Sequence, residues 1–333
     1  MTSNGSDTPE VCHCGTSTTR LYTLEMKRSI MFAISLLVFG QAPAQQPVSC
    51  PPANGVALQI LGSGGPIADD GRASSSYIVW IDGKSRVLID AGGGSFLRFG
   101  EVHANFNDLE FVGLSHFHAD HSADFVALLK SGNFAGRQRP LTVAGPSGSN
   151  RFPGLDDFLQ TNLNATDGAF KYLAGYLDGG SNLPKLDAIE IAEDAQAGAD
   201  LSTTQDLISI FAQHVPHGIV PATAFRVEVQ NKSIVFSSDQ NGSDPEFARF
   251  AKDASILVMH MPIPEDSGDA AKQLHAVPSR IAEIAAAADA DRLLLSHFMA
   301  RSLRSFDQNV QLIREGYNGE LLIADDLSCF TLD

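Results

Sequence analysis

The chain has 333 residues, 44% of them hydrophobic and 19% charged, which suits one large domain or two small ones at about 100–200 residues each and excludes a disordered chain. Lys and Arg number 23 against 39 Asp and Glu, giving a formal net charge of −16. That balance lacks the basic footprint of a non-specific nucleic-acid binder and disfavours an anionic membrane surface.

From Met26 the chain reads Lys27-Arg28, the apolar run Ile30 to Gly40, then Ala42-Pro43-Ala44. A basic start, an apolar stretch too short to span a bilayer and a small-x-small site form a secretory signal peptide; a buried core helix is the alternative. Cleavage is expected after Ala44, so residues 1–44 are read as an upstream segment plus signal and residues 45–333 as a single domain. The protein is then periplasmic or secreted, with no stable membrane anchor after cleavage. The removed segment holds as many basic residues (Arg20, Lys27, Arg28) as acidic ones (Asp7, Glu10, Glu25), so the net charge belongs to the mature body. Only Cys50 and Cys329 survive cleavage, either as a disulfide that ties the termini or as two buried thiols.

Strands are predicted at 56–61, 75–81 and 86–89, the last two joined by the hairpin signal Asp82-Gly83-Lys84. A strand at 111–115 runs into a histidine cluster, a helix follows at 122–130 and a strand at 141–144. Residues 153–178 have apolar positions every three or four residues and read as one or two amphipathic helices, either a lid or a flank. The second half repeats the alternation. Strands are expected at 207–213, 223–229, 233–237, 256–259, 292–296 and 320–324, with helices at 245–253, 270–288 and 307–317. Two mixed halves that each open on β structure predict two sheets face to face with helices outside, an α/β fold.

The strongest chemical signal is Ser115-His116-Phe117-His118-Ala119-Asp120-His121, where a strand gives way to a helix. Three imidazoles and a carboxylate this close need a shared partner, because each carries polar atoms that burial would leave unsatisfied. Their donor types suit zinc, and also iron, manganese or nickel. His116 and His118 share one side of extended backbone, while Asp120 and His121, past the turn, reach toward a second ion.

This motif, preceded by Leu88-Ile89-Asp90-Ala91-Gly92, resembles the metallo-β-lactamase superfamily. The resemblance continues through Phe211 to Gly218 and Pro221 to Val227, through Ile234-Val-Phe-Ser-Ser-Asp239, and through Leu293-Leu-Leu-Ser-His297. It implies a four-layer αββα sandwich. It also implies two divalent metal ions, zinc with manganese or iron as alternatives. One is held by His116, His118, His217 and Asp239, the other by Asp120, His121, Asp239 and His297. His214 competes with His217, which the following Gly218 favours; Asp90 is either a supporting carboxylate or an ordinary turn residue.

His118 in place of a glutamate points to hydrolysis, and Asp239 points away from true β-lactamases. His275 resembles the proton-donating histidine of the ribonuclease Z and arylsulfatase-like branch, with Asp120 orienting a metal-bridged hydroxide and His260 assisting His275. The chain departs from ribonuclease Z at Met259-His260-Met261, where that enzyme carries a glutamate. With the acidic charge and the signal peptide, this shifts the expected substrate from tRNA to a small phosphodiester or sulfate ester. No nucleic-acid partner is expected, and a homodimer is allowed. The alternatives are a carboxylic hydrolase opening a lactone or β-lactam, and a metal-binding protein without turnover. The glycine-rich Gly62 to Pro66 lacks a phosphate-loop lysine and reads as a turn beside the cleft.

Overall fold

In the computed structural model, residues 50–194, 199–201 and 208–332 are described, all within the unit Gln46–Asp333. The expected signal segment lies outside the described residues. The strands are β1 Val56–Gly62, β2 Ser76–Ile81, β3 Lys84–Ile89, β4 Phe111–Gly113, β5 Leu141–Pro146, β6 Leu186–Ile191, β7 Ala199–Asp200, β8 Ile208–His217, β9 Val220–Val229, β10 Lys232–Phe236, β11 Ile256–His260, β12 Arg292–Ser296, β13 Glu320–Ile323 and β14 Cys329–Leu332. They form two seven-stranded sheets, in the orders β14-β1-β2-β3-β4-β5-β6 and β13-β12-β11-β10-β9-β8-β7.

Strand alternation explains the layering. Val56, Leu58 and Ile60 of β1 join Tyr77, Val79 and Val87 in a core shared with Val227, Ile234 and Val258 of the other sheet. The intervening Ala57 and Leu61, with Ile78 and Leu88, pack under Phe99, Phe125, Leu129 and Leu159 of the outer helices. Both faces are therefore dry at β1 and β2, which are buried throughout. The second sheet is covered by the helix Pro278–Ala287, whose Ile281 and Ala285 join the shared core. The αββα sandwich is observed.

Within each sheet, one run of strands is parallel: β3 to β6 in the first and β10 to β13 in the second. Parallel strands align their carboxyl ends on one edge, where a cleft forms. β4, β10, β11 and β12 all deliver the motif residues to that edge.

Some elements differ from expectation. The helix expected over 270–288, opening around His275 and Val277, has its main part at Pro278–Ala287 as expected, while the residues before it form a separate short helix, Asp269–Lys272. Pro278 lacks an N–H and forces Val277 into extended backbone, so it opens a helix instead of continuing one. His275 sits in the break. The region 153–178 resolves into helices Leu155–Leu163 and Gly175–Asp178, packed as a flank on the first sheet's outer layer. Cys50 and Cys329 form a disulfide, with Cα atoms 6.1 Å apart.

Candidate metal centre

The site is assembled from strand ends. β4 leads through Leu114 and Ser115 to His116, and the short helix Ala119–Ser122 presents Asp120 and His121. β8 ends on His217, β10 is followed by Asp239, β11 ends on His260 and β12 is followed by His297. His214 and His217 are three residues apart on β8, so they face opposite sides of the strand; only His217 joins the cluster. Three non-glycine residues at these strand ends have left-handed backbone, Asp90 (φ 59°), Ser238 (φ 58°) and His297 (φ 56°). Each costs on the order of 1–3 kcal/mol, a strain that commonly collects where side chains must be aimed at a shared point.

Side-chain nitrogens and carboxylate oxygens gather in two groups joined by a third. His116, His118 and His217 offer donor atoms within 4.8 Å of one another, and so do His121, Asp239, His260 and His297. A third set, His217, Asp239 and His275, overlaps both, and Asp239 sits in the middle. Its Oδ2 is 3.7 Å from Nε2 of His217 and 3.8 Å from Nε2 of His121, and its Oδ1 is 3.4 Å from Nε2 of His297. Oδ2 of Asp120 lies 3.1 Å from Nε2 of His297 and 3.5 Å from Nε2 of His121. The structure thus brings together every residue expected in the ligand set.

The outer nitrogens of several rings are already committed. Nδ1 of His217 donates to the Leu274 carbonyl at 2.8 Å, and Nδ1 of His121 lies 2.7 Å from Oδ2 of Asp90. Asp90 also accepts from the Ser115 backbone N–H at 2.7 Å and from its hydroxyl at 2.9 Å, so it is a buried support and not merely a turn residue. With the proton fixed on Nδ1, Nε2 of His217 carries a lone pair into the cluster, buried and without a partner. Nε2 of His121 likewise faces Nε2 of His297 at 3.2 Å, and Nε2 of His116 faces Nδ1 of His118 at 3.0 Å. Lone pairs converging on one another, an orphaned buried imidazole nitrogen and a central carboxylate are what divalent cations take as ligands; the residues fit such ions.

Electrostatics point the same way. Burial holds the His116 imidazole well below its usual pKa, and it lowers His260 to about 4 and His275 to about 3. For His121 burial also acts downward, but Asp90 and Asp120 outweigh it and raise the ring to about 10. Burial pushes both Asp120 and Asp239 upward, yet the surrounding histidines hold both below the usual carboxylate range. His116, His260 and His275 are thus neutral beside ionised carboxylates, the states that metal binding requires, whereas His121 is held protonated by Asp90 and Asp120 and would give up its Nε2 proton to a bound ion.

The two remaining candidates differ in placement. His275 lies at the wall of the cluster with Nδ1 buried, unpartnered and 3.7 Å from Oδ2 of Asp239. His260 has both ring nitrogens engaged, by Oδ1 of Asp239 at 2.7 Å and by the Tyr77 hydroxyl at 3.1 Å. Sequence inspection missed Tyr77 and Ser115. Tyr77 looks like any core aromatic on an apolar strand, whereas Ser115 could have been found from its position between a strand and the first histidine.

The beta-lactamase superfamily domain matches residues 85–298. Ribonuclease Z of Mycolicibacterium gilvum is 27% identical over 259 residues, spanning 73% of this chain and 84% of that protein. Among solved structures, the metallo-beta-lactamase fold protein YhfI from Bacillus subtilis superposes with a TM-score of 0.64 at 21% identity, over 83% of this chain and 100% of that one. The short form of human tRNase Z gives a TM-score of 0.64 at 19% identity, over 83% of this chain and 99% of that one.

These relatives correct one expectation. A small-ester substrate with no nucleic-acid partner does not stand beside relatives named as ribonuclease Z and tRNase Z. The physical reason is that net charge is a sum over the whole surface, while a phosphate is met locally, in a cleft whose donors gather cations. With histidines and aspartates gathered at the strand ends and the domain match in place, the chain belongs to the beta-lactamase superfamily, in its ribonuclease Z-like branch of metal-dependent hydrolases.

Proposed function

We propose that the chain is an exported, dinuclear-metal phosphodiesterase acting on the RNA class of phosphodiester, with residues 45–333 as the mature hydrolase domain. The observation that carries this reading is Asp239, one carboxylate placed between two groups of inward-facing imidazoles. His116, His118, His217 and Asp239 would hold one ion; Asp120, His121, Asp239 and His297 would hold the other, with zinc the first choice for imidazole and carboxylate donors. Bound there, divalent ions supply Lewis acidity toward a phosphoryl oxygen and acidify water.

The chain's own residues do the rest. Asp120, kept ionised by its histidine neighbours, offers an acceptor for the proton of an attacking water. His275, held neutral by burial, keeps one ring N–H that can hydrogen-bond the leaving oxygen and stabilise its developing charge without giving up the proton. Asp90 and Leu274 fix the rings of His121 and His217 from behind. Export is supported by Lys27-Arg28, the run Ile30 to Gly40 and Ala42-Pro43-Ala44, and by a disulfide that suits an oxidising compartment.

The test is hydrolysis of bis-p-nitrophenyl phosphate and of a labelled RNA by metal-loaded protein. Cleavage of both, lost in chelator and restored by zinc or manganese, is expected. Turnover of p-nitrophenyl sulfate, a lactone or nitrocefin alone would overturn the reading. N-terminal sequencing of exported protein is expected to begin at Gln45.

A further inference from the structure

We propose that Tyr77 and His260 are positioning residues that set the orientation of the Asp239 carboxylate between the two imidazole groups; the inference rests on the dinuclear reading above. Oδ1 of Asp239 lies 2.7 Å from Nδ1 of His260. A carboxylate only accepts, so Nδ1 carries the proton whatever the charge of the ring. The ring has no freedom to turn. Its Nε2 is 3.1 Å from the Tyr77 hydroxyl, which is 2.9 Å from Oγ of Ser296, and its face stacks on His297 with centroids 4.6 Å apart. Tyr77 is itself wedged against Phe236, with centroids 5.4 Å apart, and is 1% exposed.

The consequence is a division of labour between the two oxygens of Asp239. Oδ1 is tethered by His260, which turns Oδ2 toward His217, His275 and His121 at 3.7, 3.7 and 3.8 Å. Tyr77 belongs to β2 of the first sheet, His260 ends β11 of the second and Asp239 follows that sheet's β10, so the tether crosses the sandwich interface at the site. His260 is therefore assigned a role different from proton donation, and different from metal ligation, in which its Nδ1 would need a free lone pair.

The experiment is equilibrium dialysis of the full chain, stripped with chelator, against zinc, with metal counted by mass spectrometry and the melting temperature of each metal-free form recorded. Wild type is expected to bind two equivalents. His260→Ala should weaken the more loosely held equivalent by about 10–100-fold. His260→Asn places an amide N–H where Nδ1 stood and should recover most of that loss, while its metal-free melting temperature stays close to that of His260→Ala. Tyr77→Phe, which removes only the hydroxyl, should weaken the same equivalent several-fold, and it carries the test if His260→Ala does not fold. Two equivalents bound with wild-type affinity by His260→Ala and Tyr77→Phe would overturn this inference alone. So would His260→Asn binding no better than His260→Ala, since a lost ligand is not restored by an amide donor. Wild-type protein that binds no zinc would overturn the proposed function and this inference with it.

Discussion

Asp90 and His121 are 31 residues apart in the chain, yet Oδ2 of one lies 2.7 Å from Nδ1 of the other, and both are fully buried. Asp90 reaches that position from left-handed backbone at the end of β3, and its carboxylate also gathers the backbone N–H and hydroxyl of Ser115. The pair fixes the orientation of His121, because a carboxylate that only accepts keeps a proton on Nδ1 and turns Nε2, the atom a metal would take, toward the cluster. Asp90→Asn keeps the shape and tolerates the left-handed backbone, but one of its two terminal atoms becomes a donor. Zinc affinity is expected to fall about 10–100-fold with the fold retained, read by equilibrium dialysis alongside circular dichroism. Unchanged affinity would show that Asp90 merely ends a strand.

His214 and His217 give a paired comparison. They lie on opposite faces of one strand, and only His217 has an unpartnered nitrogen in the cluster. His217→Ala is expected to cost at least one bound metal and about 10²-fold or more in phosphodiester turnover, whereas His214→Ala should keep both metal content and rate. Metal counting on the two variants decides it; the opposite pattern would exchange their roles.

Gly92 holds the loop behind Asp120. A Cβ there would lie 2.1 Å from the Asp120 carbonyl oxygen, and the neighbouring Ala91 N–H donates to the His121 carbonyl at 2.8 Å. Backbone has to move to admit a methyl group, so Gly92→Ala should destabilise by about 1–3 kcal/mol and disturb Asp120 and His121 together. Denaturant unfolding and metal content should both change. A variant with wild-type values of both would contradict the close packing of this loop.

The disulfide joins positions 279 residues apart, near the two ends of the described body. Closing so long a loop restricts the unfolded chain, and removal of a native bridge commonly costs about 2–5 kcal/mol. Cys50→Ser with Cys329→Ser is expected to lower the melting temperature measurably without altering metal content, and a thiol titration of denatured, unreduced mature protein should find no free cysteine. Two titratable thiols would show that the bridge does not form.

Much of this site could be read from the sequence because its residues sit where periodic apolar strands stop. The strand-to-histidine passage at Phe111 to His121, and Asp239 and His297 at the ends of Ile234 to Ser237 and Leu293 to Ser296, mark the cleft from local pattern alone. Less visible were elements without that pattern. Strand β6 is an edge strand with three exposed positions and weak alternation, and β14 is a short pairing partner for β1 whose residues are mostly half-buried. Pro278 hid a helix break inside an alanine-rich run. The contact of Tyr77 with His260 spans 183 residues and joins two sheets, so no local spacing announces it. The substrate class was misjudged because a whole-chain charge of −16 stood in for the potential of one cleft.

The central claim is that two divalent ions shared by Asp239 make this chain a phosphodiesterase. Its most direct test is one titration in which zinc is added back to chelator-stripped protein while bound metal and bis-p-nitrophenyl phosphate hydrolysis are followed together. Activity rising to a plateau at two equivalents, and nearly absent in Asp239→Ala together with the second equivalent, is the predicted result. Full hydrolysis in metal-free protein, or an Asp239→Ala variant that binds two ions and turns over at the wild-type rate, would contradict it.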